Sequence, residues 1–203
     1  MNTSQHPKRF SMIREFHLAD WFTLGNAVCG VGALFSMMSY LESTEVRHIY
    51  YACALVLAAG VFDVLDGRIA RWRQKSSSLG RELDSLADVI SFGVAPAGIA
   101  FAAGLRTPLD QAILMYFVGC GVSRLARYNI TAEAMAGATG KVTHFEGTPI
   151  PTSVIPLALL MLAFHRGTLY PVQVLGAELH LVALLFLVSG TLMISKTLKI
   201  PKP

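Results

Sequence analysis

Between Asp63 and Asp88 the chain reads Asp63-Val-Leu-Asp66-Gly67-Arg68-Ile-Ala70-Arg71, then eight residues, then Gly80-Arg81-Glu-Leu-Asp84-Ser-Leu-Ala-Asp88. Apolar runs flank it, so the aspartates stand where one hydrophobic segment ends and the next begins. A helical winding of about 100° per residue gathers Asp63, Asp66, Gly67, Ala70 and Arg71 into a stripe about 140° wide. Asp84 and Asp88, four residues apart, stack on one face of the following helix, with Gly80 a turn earlier. The polar stretch 74–78 predicts a short turn that folds the two helices back as neighbours. Four carboxylates are then expected to converge at one end of a helical pair.

The rest of the chain makes the setting a bilayer. Of 203 residues, 53% are hydrophobic and only 15% charged, and the mean hydropathy is +0.51. Soluble domains carry about 25% charge. The composition therefore excludes a soluble enzyme, a disordered regulator and a DNA-binding domain, and no nucleic-acid partner is expected. Seventeen Lys and Arg against thirteen acids suit basic loops facing anionic lipid. Cys29, Cys53 and Cys120 sit inside apolar runs without a Cys-x-x-Cys pair, and read as packing residues.

A bilayer core asks for roughly 20 apolar residues per helix, shorter spans being tolerated. Six runs qualify: 22–41, 49–65, 86–105, 109–126, 150–164 and 175–194. The expected fold is an all-α integral membrane protein forming one domain over 1–203. Its six transmembrane helices fill 22–203, after an N-terminal amphipathic interfacial helix within 1–21. There Arg14, Glu15, His17 and Asp20 mix with Phe10, Met12, Ile13, Phe16 and Leu18; the plain alternative is an unstructured basic tail. No cleaved signal peptide is expected, because the first run carries Asn26 and lacks a small-residue cleavage site. Fourteen Lys and Arg fall in the terminal, second-to-third and fourth-to-fifth stretches, against Arg47, Arg106 and Arg166 on the other side. That asymmetry predicts a multi-pass protein of the cytoplasmic (inner) membrane, with both termini and the acidic cluster at the cytoplasmic face.

Carboxylates this close repel one another and need countercharge. Oxygen-only ligands suit hard cations, Mg²⁺, Mn²⁺ or Ca²⁺, and no His or Cys is interleaved to favour zinc. Gly67 and Gly80 leave the helix surface bare, and Arg68, Arg71 and Arg81 offer positive charge to phosphate oxygens. Metal, bare glycine and arginine together describe a site for a metal-bound pyrophosphate. The bland reading is an interfacial salt-bridge network.

The spacing Asp63-x2-Asp66-Gly67-x2-Ala70-Arg71-x8-Gly80-x3-Asp84-x3-Asp88 resembles the signature of the CDP-alcohol phosphotransferase family at each of its eight fixed positions. The resemblance implies a six-helix membrane fold, a homodimer and two divalent cations. It makes Asp63, Asp66, Asp84 and Asp88 metal ligands, Asp88 also the general base, and Gly67, Ala70, Arg71 and Gly80 holders of the cytidine diphosphate. Outside the signature, Ser91-Phe-Gly-Val-Ala-Pro96, Arg124-Leu-Ala-Arg127-Tyr-Asn129, Phe145-Glu146-Gly147-Thr-Pro149-Ile-Pro151 and Thr23-Leu-Gly-Asn26-x3-Gly30 resemble the membrane-embedded, serine-using branch. That branch uses CDP-diacylglycerol and L-serine, in contact with membrane lipid. Ala19-Asp20 and Thr152-Ser153 depart from its usual Pro-Asn and small apolar residues.

Arg124 and Arg127 share a helix face with Asn129 at its end. They read either as headgroup anchors that snorkel or as a guanidinium fork for the serine carboxylate. Glu146 is a candidate for the serine ammonium, against a solvated loop carboxylate, and His144 reads as a loop residue. Pro96 is expected to kink the third span, and Gly93 with Ala97 gives a small-xxx-small contact for packing or dimerisation. A sibling acceptor, glycerol 3-phosphate or inositol phosphate, asks for a larger basic pocket than this arginine pair. A cation transporter asks for a duplicated site near the midplane, and this cluster stands at one face and occurs once.

Overall fold

The computed structural model describes residues 18–73, 78–136, 144–174, 176–195, 197 and 199–201. The first apolar run folds as α1 (Leu18–Ser43), followed by α2 (Val46–Arg73). Within α1 the buried positions are Asp20, Thr23, Asn26, Gly30 and Ala33, spaced three or four apart. Its exposed positions up to Leu41 are apolar, among them Val28, Val31, Phe35 and Met38. A helix that turns polar and small residues inward and large apolar ones outward is built for lipid. Thr44, at φ 58°, closes α1 with its N–H on the Tyr40 carbonyl at 2.8 Å. The chain thereby reverses into α2, which buries Ile49, Ala52, Val56 and Ala59 on one face.

The third apolar run is not one regular helix. It comprises α3 (Ser78–Asp88), a π-helical segment (Val89–Val94) and α4 (Ala95–Ala103). Pro96, expected to kink the span, follows a π segment instead: the Ala95 N–H bonds five residues back, to the Ile90 carbonyl. Proline has no N–H to give, and its ring crowds the carbonyl four residues earlier. Widening the helix ahead of it relieves both. Ser91, Phe92 and Gly93 of this segment are buried, and Gly93 and Ala97 pack inside this chain's own core.

The fourth run extends as α5 (Pro108–Ala136), well beyond the expected 109–126. After β1 (His144–Glu146), a 3₁₀ turn (Ile150–Ser153) leads into α6 (Val154–His165). The sixth run needs correction, because 176–182 is not helical. Residues Pro171–Val174 (β2) and Ala177–His180 (β3) form an antiparallel hairpin, and α7 starts only at Ala183, ending at Ile194. Gly176 has φ +83°, which a tight turn accommodates, and buried His180 anchors β3 to Asp110 of α5 at 2.7 Å. Composition alone reads this stretch as apolar; the hairpin turn and the anchor decide otherwise. His144–Glu146, expected as loop, pairs antiparallel with β4 (Lys199–Pro201).

Among the described residues three helices are long and apolar enough to cross a membrane: Leu18–Ser43, Val46–Ile69 and Leu79–Ala103. Ile150–His165 and Ala183–Ile194 are shorter apolar helices. Of the proposed interfacial helix, 10–17 lie outside the described residues, and Leu18–Trp21 belong to α1 without a break at residue 22. The core joins these elements. Phe117 of α5 meets Phe186 of α7 edge-on at 5.4 Å, and Ile150 covers Gly93 and Gly121.

Candidate active site

The end of α2 and the start of α3 bring the acidic signature together. Carboxylate oxygens of Asp63, Asp66 and Asp84 lie within 4.8 Å of one another. Asp88 stands one turn further along α3, outside that trio, 6% exposed and within electrostatic reach of Asp63 and Asp84. Two of the four carboxylates take a hydrogen bond from α1. Thr23 Oγ1 donates to Asp66 Oδ2 at 2.8 Å, and Asn26 Nδ2 donates to Asp88 Oδ1 at 3.1 Å. Asp84 Oδ1 is buried without a partner. Among the described side chains none forms an ion pair with any of the four.

This donor set fits a hard cation. Oxygens bound at about 2.0–2.6 Å to one ion stand within about 5 Å of each other, as the trio does. Three clustered carboxylates with no ion-pair partner among the described side chains are otherwise an unfavourable arrangement. Gly67 borders the trio on α2, and a Cβ built there meets nothing within 4 Å; the backbone is open to a ligand. Arg68 is exposed and Arg81 half-buried, while Ala70 and Arg71 continue α2 and Gly80 lies in the first turn of α3.

The acceptor-side candidates are distributed unevenly. Arg124 is half-buried, its Nε buried without a partner, its guanidinium 6.0 Å from the Tyr128 ring and in the field of Asp88. Arg127 is half-buried on the same helix. Asn129 is tied to α3: its Nδ2 donates to Ser85 Oγ at 3.0 Å and to Glu82 Oε1 at 3.2 Å. Glu146 lies on β1, in register with Lys199. The residues the sequence reading left without a role are Thr23 and Asn26, seen there only as part of a resemblance. Their signal was available: two polar side chains three apart inside an apolar run, where polarity is costly without a partner.

Fold and site together define a helical membrane protein with a cluster of carboxylates that could hold a metal ion. Residues 16–192 match the family model of the CDP-alcohol phosphatidyltransferases, and the chain belongs to that family. It is 41% identical to a CDP-diacylglycerol–serine O-phosphatidyltransferase of Saccharomyces cerevisiae, over 96% of this chain and 74% of the relative. The enzyme of that name from Bacillus subtilis is 34% identical over 70% of this chain and 74% of its own. The Helicobacter pylori one is 37% identical over 71% of this chain and 57% of its own. No solved structure matches.

Proposed function

We infer that this chain transfers the phosphatidyl group of CDP-diacylglycerol to L-serine, giving phosphatidylserine and CMP. The observation that carries the acceptor is the likeness, over 96% of the chain, to a serine O-phosphatidyltransferase. The converged carboxylates support the reaction class. Asp63, Asp66, Asp84 and Asp88 would hold two divalent cations, Mg²⁺ or Mn²⁺ with Ca²⁺ a further candidate, which when bound neutralise phosphate charge and stabilise the departing CMP.

The chain's own residues do the rest. Gly67, Ala70 and Gly80 let the cytidine diphosphate approach the backbone, while Arg68, Arg71 and Arg81 face its phosphate oxygens. Asp88 takes the serine hydroxyl proton as that oxygen attacks the phosphorus carrying diacylglycerol. The new P–O bond forms as the P–O bond to CMP breaks in line, and CMP leaves with its phosphate. Arg124 and Arg127 pair with the serine carboxylate, Asn129 borders that pocket, and Glu146 faces the ammonium. The chain works as a homodimer, crossing the inner membrane six times after an interfacial helix. Its termini and site are cytoplasmic, where serine and the lipid headgroup meet.

The test is CMP release from CDP-diacylglycerol by purified protein with Mn²⁺ or Mg²⁺ and a panel of alcohols. Serine is expected to react, and ethanolamine, which lacks the carboxylate, to react poorly. Efficient use of ethanolamine or glycerol 3-phosphate overturns the serine assignment.

A further inference from the structure

The carboxylates of the site come from two helices, and α1 is the element that touches both sets. Thr23 bonds Asp66 on α2 and Asn26 bonds Asp88 on α3. The two donors are one helical turn apart, so a single rigid helix fixes both contacts. That helix is itself clamped. A Cβ at Gly30 would stand 2.4 Å from Ser91 Oγ and 3.0 Å from Ser91 Cα, so α1 lies almost against the π segment. Ser91 Oγ donates to the Asn26 carbonyl at 2.9 Å. Asn26 is thus held through its backbone and its side chain by the unit that carries Asp88.

Burial makes these bonds selective. Asn26 is 0% exposed and Thr23 4%, so bulk water does not compete for either carboxylate oxygen. The amide of Asn26 must turn its NH₂ to Asp88, because its oxygen would face a like partial charge. Its own Oδ1 is left buried without a partner, a cost accepted to keep that NH₂ on the carboxylate. Each bond occupies one carboxylate oxygen, Oδ2 of Asp66 and Oδ1 of Asp88, and fixes where the other oxygen points.

We propose that Thr23 and Asn26 are positioning residues of the phosphotransfer site, Thr23 acting through Asp66 on metal affinity and Asn26 acting through Asp88 on turnover. The assignment rests on the function inferred above. The test uses purified full-length protein in lipid–detergent micelles. Mn²⁺ binding is read from the EPR signal of the free ion, which needs no substrate, and kcat and KM come from CMP release. Thr23→Val keeps the shape and removes the hydroxyl; Thr23→Ser keeps the hydroxyl. Loss of a hydrogen bond to a charged group should weaken Mn²⁺ binding about tenfold in Thr23→Val, and Thr23→Ser should restore it, with Asp66→Asn as the reference for full loss. Asn26→Leu should lower kcat about tenfold or more, with both KM values near those of the wild type and a smaller loss of Mn²⁺ affinity than Thr23→Val. Asn26→Ser serves if the leucine variant does not fold. Wild-type Mn²⁺ affinity in Thr23→Val, or equal loss in the valine and serine variants, overturns the role of Thr23. An Asn26 variant that raises KM at unchanged kcat overturns that of Asn26. A wild type that binds Mn²⁺ and releases no CMP removes the inferred function while leaving the Mn²⁺ comparison standing.

Discussion

Asp110 and the cluster around Asp66 and Asp88 both carry buried carboxylates, and the two places treat them in opposite ways. Asp110, at the start of α5 and 0% exposed, is fully partnered. Its Oδ1 accepts the His180 N–H at 3.0 Å, and its Oδ2 accepts the Thr107 N–H at 3.1 Å and lies 2.7 Å from His180 Nδ1. Thr107 Oγ1 in turn accepts the Asp110 N–H at 3.2 Å, a reciprocal cap at a helix start. The cluster of Asp63, Asp66, Asp84 and Asp88 has two donors from α1, one bare oxygen on Asp84, and no ion pair among the described side chains. Buried polar groups are ordinarily satisfied, and the exceptions need a reason. Asp110 is architecture, closing the hairpin onto α5. On the function proposed above, the cluster is chemistry, completed by charge from outside the chain.

Replacing carboxylates at each end should separate these roles. Asp63→Asn, Asp66→Asn or Asp84→Asn is expected to cut turnover about a thousandfold or more, since metal-based charge stabilisation contributes several kcal/mol. The purified variants should melt no lower than the wild type. Excess EDTA should silence the wild type, and Mn²⁺ or Mg²⁺ should restore it. Normal turnover in any of the three breaks the comparison at its catalytic end. The opposite signature is expected of Asp110→Asn and His180→Ala. Losing a hydrogen bond to a buried carboxylate costs about 1.5–3 kcal/mol, so these should melt early or accumulate poorly. The folded fraction should retain wild-type kcat. A kcat loss without lost stability would place Asp110 in the reaction after all.

The two ends also differ in how far the sequence discloses them. Asp63, Asp66 and Asp84 are close along the chain, so helical periodicity and one short turn expected between the two helices suffice to bring them together. The partners of Asp110 and Asp88 are distant: His180 is 70 residues from Asp110, and Asn26 is 62 from Asp88. No local pattern predicts such pairs. The pairing of Pro171–Val174 with Ala177–His180 is hidden from the sequence for a related reason. An apolar run reads as a span by composition, whereas the turn at Gly176 and the anchoring of His180 are set by tertiary contacts. The π segment is likewise signalled only by Pro96, which says that the helix must yield nearby and not how.

Arg124 sharpens the contrast from the acceptor side, because its buried Nε has no partner whereas His180 has one. If that guanidinium meets the serine carboxylate, Arg124→Ala should raise the serine KM about tenfold to a hundredfold, at about 1.4 kcal/mol per decade. KM for CDP-diacylglycerol should move far less. Steady-state titration of each substrate against CMP release gives both values. An unchanged serine KM in Arg124→Ala and Arg127→Ala alike would make the pair a headgroup anchor.

The smallest effects are expected at two glycines, and they carry the same distinction down to a single methyl group. At Gly30 a Cβ would press on Ser91, 2.4 Å from its Oγ and 3.0 Å from its Cα. Gly30→Ala must therefore push α1 off the π segment, at the cost of about 1–3 kcal/mol typical of overpacking. At Gly67 a Cβ meets nothing within 4 Å, and alanine in a helix is preferred over glycine by about 0.5–1 kcal/mol. On stability alone, then, Gly67→Ala should be neutral or improved. Its cost should appear only when the nucleotide approaches, as a rise of about fivefold to tenfold in the KM for CDP-diacylglycerol, within the overpacking range, with serine KM unchanged. Thermal melts of the two variants beside substrate titrations decide it. A Gly67→Ala protein that is more stable and binds CDP-diacylglycerol normally would mean that the open backbone at residue 67 is not where the donor lies.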